Sequence, residues 1–106
     1  MKTWKNKPYT LTVSEEDDPL YTLYYGSEVV RCTTARNSES KSDTCTRIIH
    51  DYLRYKGYKH WLNIMSIAGY DLDQHSEQTW LEFLKSKFAV KLKSLNSKVQ
   101  EDLSNE

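Results

Sequence analysis

The segment that most constrains the fold of this chain is Tyr9–Val13, where apolar and hydroxylated side chains alternate without a break. A β-strand points successive side chains to opposite faces, so Tyr9, Leu11 and Val13 would share one side of a sheet. The alternation therefore predicts a half-buried strand whose second face is polar.

Two more strands are predicted after an acidic loop. Leu20–Tyr25 and Glu28–Thr34 are rich in Tyr, Val and Thr, which favour strands. Gly26-Ser27 separates them, and Gly at the first central position is typical of a two-residue type II′ hairpin turn. Residues 7–35 are therefore predicted to form a three-stranded antiparallel meander. Two side chains of its third strand are expected to face inward: Val30 and Cys32.

Residues 43–103 are predicted to form the helical part of the chain. Ser42 or Asp43 is expected to cap a first helix, and Gly57 is expected to end it. A second short helix is predicted over residues 58–68. The side chains of the first helix that are expected to cover the sheet recur at spacings of three and four, namely Cys45, Ile48, Ile49, Tyr52 and Leu53.

The C-terminal segment predicts one long helix from about Ser76 to Leu103. A helix of this length extends roughly 40 Å, more than a globule of this size needs, so we expect its far half to project, fold back or pair with another chain. The simpler alternative is that the tail past Leu95 frays. The apolar residues expected to contact a partner lie on one helical stripe: Phe88, Leu92, Leu95 and Val99.

Size and composition favour one domain. The chain has 106 residues, which suits a single core, and eight Tyr and three Trp are expected to supply much of its burial. No stretch approaches the length of apolar sequence that spans a membrane, and no secretion signal follows the basic start. We therefore predict a single cytoplasmic α+β domain, residues 1–106, consisting of the three-stranded meander, two short helices and the long C-terminal helix.

Catalytic and metal-binding patterns are weak. Cys32, Cys45, His50 and His60 are zinc-binding residue types, but thirteen positions separate the cysteines, and no short Cys-x-x-Cys clip is present. Both thiols are expected to be free and buried as small hydrophobes. Nothing resembles a phosphate-binding glycine loop or a nucleophile elbow. We expect no enzymatic activity, cofactor, metal or small-molecule substrate.

A mixture of cations and aromatic residues favours nucleic-acid binding as one hypothesis. Cations neutralise phosphate and rings stack on bases. The balance of 15 basic and 15 acidic side chains weighs against it, because dedicated nucleic-acid binders usually carry a basic surplus. The cations expected to contact nucleic acid lie in the N-terminal arm and in residues 54–61: Lys2, Lys5, Lys7, Arg54, Lys56 and Lys59.

The leading hypothesis from the sequence is protein–protein association. An apolar stripe longer than its own domain can cover marks an interaction site, and homodimerisation is its simplest form. The chain is therefore expected to be a small regulatory or inhibitory accessory factor of the kind found in phages and plasmids. Nucleic-acid binding is the alternative.

Overall fold

Four antiparallel strands precede the helices in the structure, a computed structural model that describes residues 1–68 and 81–105 but not the side chains of residues 61 and 63–68. The strands are β1 (Lys2–Asn6), β2 (Tyr9–Val13), β3 (Leu20–Tyr25) and β4 (Glu28–Thr34). The helices are α1 (Lys41–Ala68) and α2 (Lys87–Ser104), and residues 81–84 are also helical. The α+β class is confirmed.

The sheet has the order β1-β2-β3-β4, so the predicted meander gains one strand. The three predicted strands are confirmed, whereas the N-terminal arm is not a free segment. It pairs with β2 from Lys2↔Val13 to Asn6↔Tyr9. The sequence did not indicate β1 because Trp4 is its single large apolar side chain among lysines and small polar residues.

The two faces of the sheet differ in chemistry. The inner face carries the buried side chains Trp4, Tyr9, Leu11, Val13, Tyr21 and Leu23. The outer face carries a cross-strand row formed by register partners in all four strands: Thr3, Thr12, Thr22 and Cys32. The predicted alternation of β2 is therefore confirmed, with its threonines outward.

A β-bulge reverses the predicted orientation of β4 beyond Val30, which itself packs against the core as predicted. Pairing runs from Tyr24↔Val29 directly to Leu23↔Arg31, so Val30 is the extra residue. A one-residue slip moves every later side chain to the other face of a strand. The prediction that Cys32 faces inward is therefore wrong: its side chain is exposed, and Arg31 turns toward the helices instead.

Helix α1 is one continuous helix of 28 residues, so the two short helices predicted around Gly57 are a single element. Its first turn is capped by Ser40, whose Oγ accepts a hydrogen bond from the Asp43 N–H at 3.1 Å, and not by Ser42 or Asp43 as predicted. Gly57 is buried and continues the core-facing stripe after Leu53. Glycine inside a helix costs about 1 kcal/mol relative to alanine, and tertiary packing at this position outweighs that cost.

Helix α2 is shorter than the helix predicted from Ser76 to Leu103. It begins after Ser86, whose Oγ accepts a hydrogen bond from the Ala89 N–H at 3.4 Å. Residues 85–86 separate α2 from the helical residues 81–84, and residues 76–80 lie outside the described part. With 18 residues the helix is about 27 Å long, so it does not outrun its domain.

Polar contacts place α2 antiparallel to α1 and along β1. Near the end of α2, the Gln100 carboxamide donates to the Thr46 hydroxyl at 3.0 Å. The Trp4 indole N–H donates to the Asp102 carboxylate at 2.9 Å, and this hydrogen bond lowers the pKa of that carboxyl. Closer to the start of α2, the Asn6 side chain donates to the Lys91 carbonyl at 2.8 Å. One hydrophobic core therefore joins the sheet to both helices.

A charged network fixes the connection from β4 to α1. The Glu39 carboxylate accepts hydrogen bonds from Arg47 Nε and Nη2 and from the Thr44 hydroxyl, each at 2.9 Å, and from the Arg36 N–H at 3.0 Å. Arg47 Nη2 also donates to the Thr34 carbonyl at 2.9 Å. These bonds, those from Arg47 first, lower the pKa of Glu39 from 4.5 to about 2.

Glu39→Gln is therefore expected to destabilise the protein at neutral pH and to have little effect near pH 2, the folded-state pKa. A group whose pKa is depressed by folding contributes stability above its unfolded-state pKa, and this is lost as pH falls through its folded-state pKa. The melting temperature should fall by on the order of 5 °C at pH 7 relative to wild type. The difference should shrink between about pH 4.5 and about pH 2.

Thermal denaturation across this pH range measures the effect, with Glu16→Gln in the exposed acidic loop as the control. The control should melt with the wild type at every pH. A difference between Glu39→Gln and wild type that stays constant from neutral to acidic pH would contradict the role of the Glu39 carboxylate.

Candidate nucleic-acid interface

Helix α1 extends past one end of the sheet, here called the hairpin end, where the turns at residues 7–8 and 26–27 lie. The helix is about 42 Å long, whereas strands of five to seven residues span roughly 17–23 Å. It starts beside Thr34, at the opposite end of β4, and its Tyr52 reaches Arg31 and Tyr9. The following turns of α1 therefore project beyond the β3–β4 turn.

A row of tyrosines connects the sheet to the projecting part of α1. Tyr25 and Tyr9 meet edge to face at a centroid distance of 5.4 Å, and Tyr9 meets Tyr52 at 6.0 Å. Tyr52 stacks on Tyr55 at 6.4 Å. The buried Tyr9 hydroxyl has no hydrogen-bond partner among the described residues, and burial, followed by the neighbouring phenols, raises the pKa of Tyr9. The outer rings are accessible, with Tyr25 41% and Tyr55 42% exposed.

Three cations lie over these rings and over Phe88. The Arg31 guanidinium carbon is 4.6 Å from the Tyr55 centroid and 5.4 Å from that of Tyr52. Lys56 Nζ is 5.6 Å from both the Tyr52 and the Phe88 centroids, and Lys59 Nζ is 5.7 Å from Tyr55. We call this set the cation–ring surface; its members are Arg31, Tyr52, Tyr55, Lys56, Lys59 and Phe88.

A cleft adjoins the cation–ring surface where α1 faces the start of α2. Its volume is about 270 Å³, and its lining residues are Lys56, Lys59, His60, Phe83, Ser86 and Phe88. The His60 and Phe83 rings are 5.8 Å apart. We call it the α2-start cleft. No acidic side chain is among its described lining residues.

The structure brings together only part of the cation set predicted from the sequence. Lys56 and Lys59 lie in the cation–ring surface, while Arg54 lines a second cleft with His50, Leu53, Leu84 and Lys93. Lys2 lies at the opposite end of the sheet, 3.4 Å from the Asp102 carboxylate.

Two other predicted cations sit on or next to β1. Lys5 is exposed, and its carbonyl accepts a hydrogen bond from Lys98 Nζ at 3.3 Å. Lys7 is exposed in the turn at the hairpin end. The six predicted cations therefore do not form one patch.

Arg31 is the residue of the surface that sequence reasoning missed. Val30 and Cys32 are predicted to face inward, and alternation in an unbulged hairpin then places Arg31 outward, away from the helices. The bulge at Val30 was the missing information, and nothing in the sequence of β4 marks it.

The predicted partner-binding stripe is corrected by burial. Leu92, Leu95 and Val99 are each 0% exposed and belong to the core that α2 forms with the sheet and α1. Phe88 is 45% exposed and contributes to the cation–ring surface. The apolar side chains of the stripe after Phe88 are buried within the domain, because α2 is short enough to lie entirely along the sheet and α1.

The zero net charge conceals an uneven distribution. The loop between β2 and β3 carries four consecutive exposed acidic residues, Glu15, Glu16, Asp17 and Asp18, and lies at the end opposite to the hairpin end. The cation–ring surface lies at the hairpin end. Clusters of one sign produce a local potential that the net charge does not reveal. The sequence-based argument against an anionic partner is weakened accordingly.

The cysteines do not form a reactive or metal-binding cluster with other described residues. Cys45 is 0% exposed, and burial raises the pKa of its thiol to about 12 against the opposing effect of Lys41. Cys32 is exposed on the outer face of the sheet, and both thiols are free. Across residues 1–68 and 81–105, no group of three or more His, Cys, Asp or Glu side chains is placed to hold a metal ion.

Comparisons with known proteins add no relative from which a function could be transferred. No family model, curated protein or solved structure matches this chain. Within the described ranges, the helices lack the combination of length and apolar character needed to cross a membrane. The cation–ring surface is therefore the feature from which a function can be proposed.

Proposed function

We propose that the protein binds single-stranded nucleic acid through the cation–ring surface. The observation that supports this proposal is the interleaving of three cations with rings that remain about two-fifths exposed or more, Tyr55 at 42% and Phe88 at 45%. A ring that served only the core would be buried, and a lysine that served only solubility would not lie over a ring. Exposed rings can stack on bases and the cations can pair with phosphates, which are the two groups that a nucleic-acid strand offers.

Each component of the surface matches one part of a nucleic-acid strand. The guanidinium and ammonium groups neutralise phosphates and release their condensed counterions. An exposed ring stacks on a base and contributes about 1–3 kcal/mol per base. Lys56 lies equally close to Tyr52 and Phe88, so charge and ring alternate continuously from α1 to α2.

A single strand fits this surface better than a duplex does. In a duplex the bases stack on each other, so exposed protein rings find no free base face. An unpaired strand offers base faces and phosphates together, which a mixed surface can engage at once. The acidic loop at the opposite end of the sheet orients the molecule so that the hairpin end approaches the strand first.

The experiment is a fluorescence-anisotropy titration of labelled oligo-dT, oligo-U and a mixed-sequence duplex. The single strands should bind more tightly than the duplex. With three neutralised phosphates, the affinity for a single strand should fall about 20-fold between about 50 and 200 mM salt. Absence of binding at the lower salt concentration would rule out the proposal, and equal binding of duplex and single strand would contradict its preference for unpaired bases.

A further inference from the structure

The α2-start cleft is suited to an anion of high charge. Its lining includes Lys56 and Lys59, which carry ammonium groups, and His60, whose imidazole can donate a hydrogen bond. A phosphate oxygen accepts hydrogen bonds from all three groups, and the described lining offers no carboxylate to repel it. The side chains alone therefore specify an acceptor-rich anionic ligand.

The beginning of α2 reinforces this preference. The Ser86 hydroxyl already accepts a hydrogen bond from the Ala89 N–H, whereas the N–H groups of Lys87 and Phe88 have no carbonyl partner within the helix. No acidic residue occupies the first turn, and the helix has 18 residues. The positive end of the helix dipole therefore adds to the charge of the lysines.

The small volume of the cleft favours the end of a strand over its interior. Phe83, which lines the cleft, is 3% exposed, so a buried ring forms part of its wall. Its volume of about 270 Å³ lies below the roughly 300–1,000 Å³ of sites for drug-sized ligands. A phosphoryl group with part of its nucleotide fits such a space, whereas several consecutive nucleotides exceed it.

We infer that the α2-start cleft binds a phosphate monoester, and that a strand held on the cation–ring surface presents it as a terminal phosphate. The inference rests on the proposed function, because Lys56 and Phe88 belong to both the surface and the cleft. A monoester carries about −1.5 to −2 charge at pH 7, more than the single charge of an internal diester. The concentration of cations in the cleft selects the more highly charged group.

The test compares three oligonucleotides of one sequence, carrying a 5′-phosphate, a 3′-phosphate or hydroxyl groups at both ends. One phosphorylated form should bind about 10-fold more tightly than the hydroxyl-ended strand, as expected for one extra charge-assisted contact. Equal binding of all three would overturn the inference while leaving the proposed function intact. Absence of binding by any of them would overturn both.

His60→Glu separates the cleft from the rest of the surface, since His60 is in the cleft but not in the cation–ring surface. This variant should abolish the preference for the phosphorylated end, and the hydroxyl-ended strand should still bind, because the cations and rings of the cation–ring surface are all present. The matched control is His50→Glu, on the same helix but in the other cleft. Equal loss of the preference in both variants would contradict the assignment, and thermal melting checks that each variant is folded.

Competition distinguishes the two sources of a phosphate monoester. Inorganic phosphate and a free mononucleotide are each titrated into the complex with the phosphorylated oligonucleotide. Loss of the end preference on adding either competitor would identify a site that binds the free phosphoryl group. A preference that persists at millimolar competitor would identify a site that requires the attached strand.

Discussion

Leu95→Ala is expected to lower the free energy of unfolding by about 2–5 kcal/mol, the usual cost of removing a buried leucine side chain. Leu95 is 0% exposed and lies on the face of α2 that packs in the core, between two other fully buried residues, Leu92 and Val99. The change removes apolar contacts and leaves a cavity that the sheet and α1 can fill only partly. Chemical denaturation with urea measures it.

The control lies on the same helix. Val90 is 54% exposed, so Val90→Ala should change the free energy of unfolding by no more than about 0.5 kcal/mol. Light scattering at two protein concentrations accompanies both variants. If Leu95→Ala left stability unchanged and instead dissociated an oligomer, Leu95 would be an interface residue, as the sequence first suggested, and the packing of α2 described here would be wrong.

The double variant Lys56→Gln, Lys59→Gln is expected to weaken single-strand binding about 60-fold at about 50 mM salt and about 10-fold at about 200 mM salt. Each cation lost removes about 0.7 from the slope of log affinity against log salt, so two losses weaken binding most where salt is low. Lys59 is exposed and Lys56 half-buried, and both substitutions keep long polar side chains. Anisotropy titrations at the two salt concentrations measure both affinity and slope.

A charge-matched control separates local contacts from the overall field. Arg36→Gln with Lys41→Gln removes the same charge at the end opposite to the hairpin end, where both side chains are exposed. This control should retain affinity within about 3-fold and keep the wild-type salt slope, because the phosphates do not contact that end. If the two double variants weakened binding equally, the cation–ring surface would not be the binding site.

The sheet was predicted well because alternation reports directly on burial. In β2, the apolar side chains have no second arrangement that buries them together, so strand, face and neighbours follow from the pattern. The sequence of β1 shows no such alternation, because Trp4 is its single large apolar residue and one residue defines no period. The position of Trp4 depends on its hydrogen bond to Asp102 and on the pairing of β1 with β2, and both form only in the folded structure.

The helices show where local signals conflict with packing. Gly57 is typical of a helix end, yet α1 continues through it because Gly57 lies on the buried side of the helix. Ser86 reads as an ordinary polar residue within a continuous apolar period from Leu81 to Val99, yet its hydroxyl caps a new helix. Periodicity alone cannot show such a break when the spacing is preserved across it.

The candidate site was predicted in part for a related reason. Lys56 and Lys59 are close in sequence to the tyrosines that they contact, so an interleaved segment revealed them. Arg31 and Phe88 come from elements more than twenty residues away on either side, and only the packed structure brings them to the same rings.

The additional residue in β4 has a consequence for how this surface could vary among similar chains. Pairing of β4 with β3 without the bulge would set Val30 opposite Leu23 and exchange the two sides of the strand beyond that point. The guanidinium of Arg31 would then leave the tyrosines, and the thiol of Cys32 would enter the interior. The register of this one strand, and not only residue type, thereby controls whether the third cation is present.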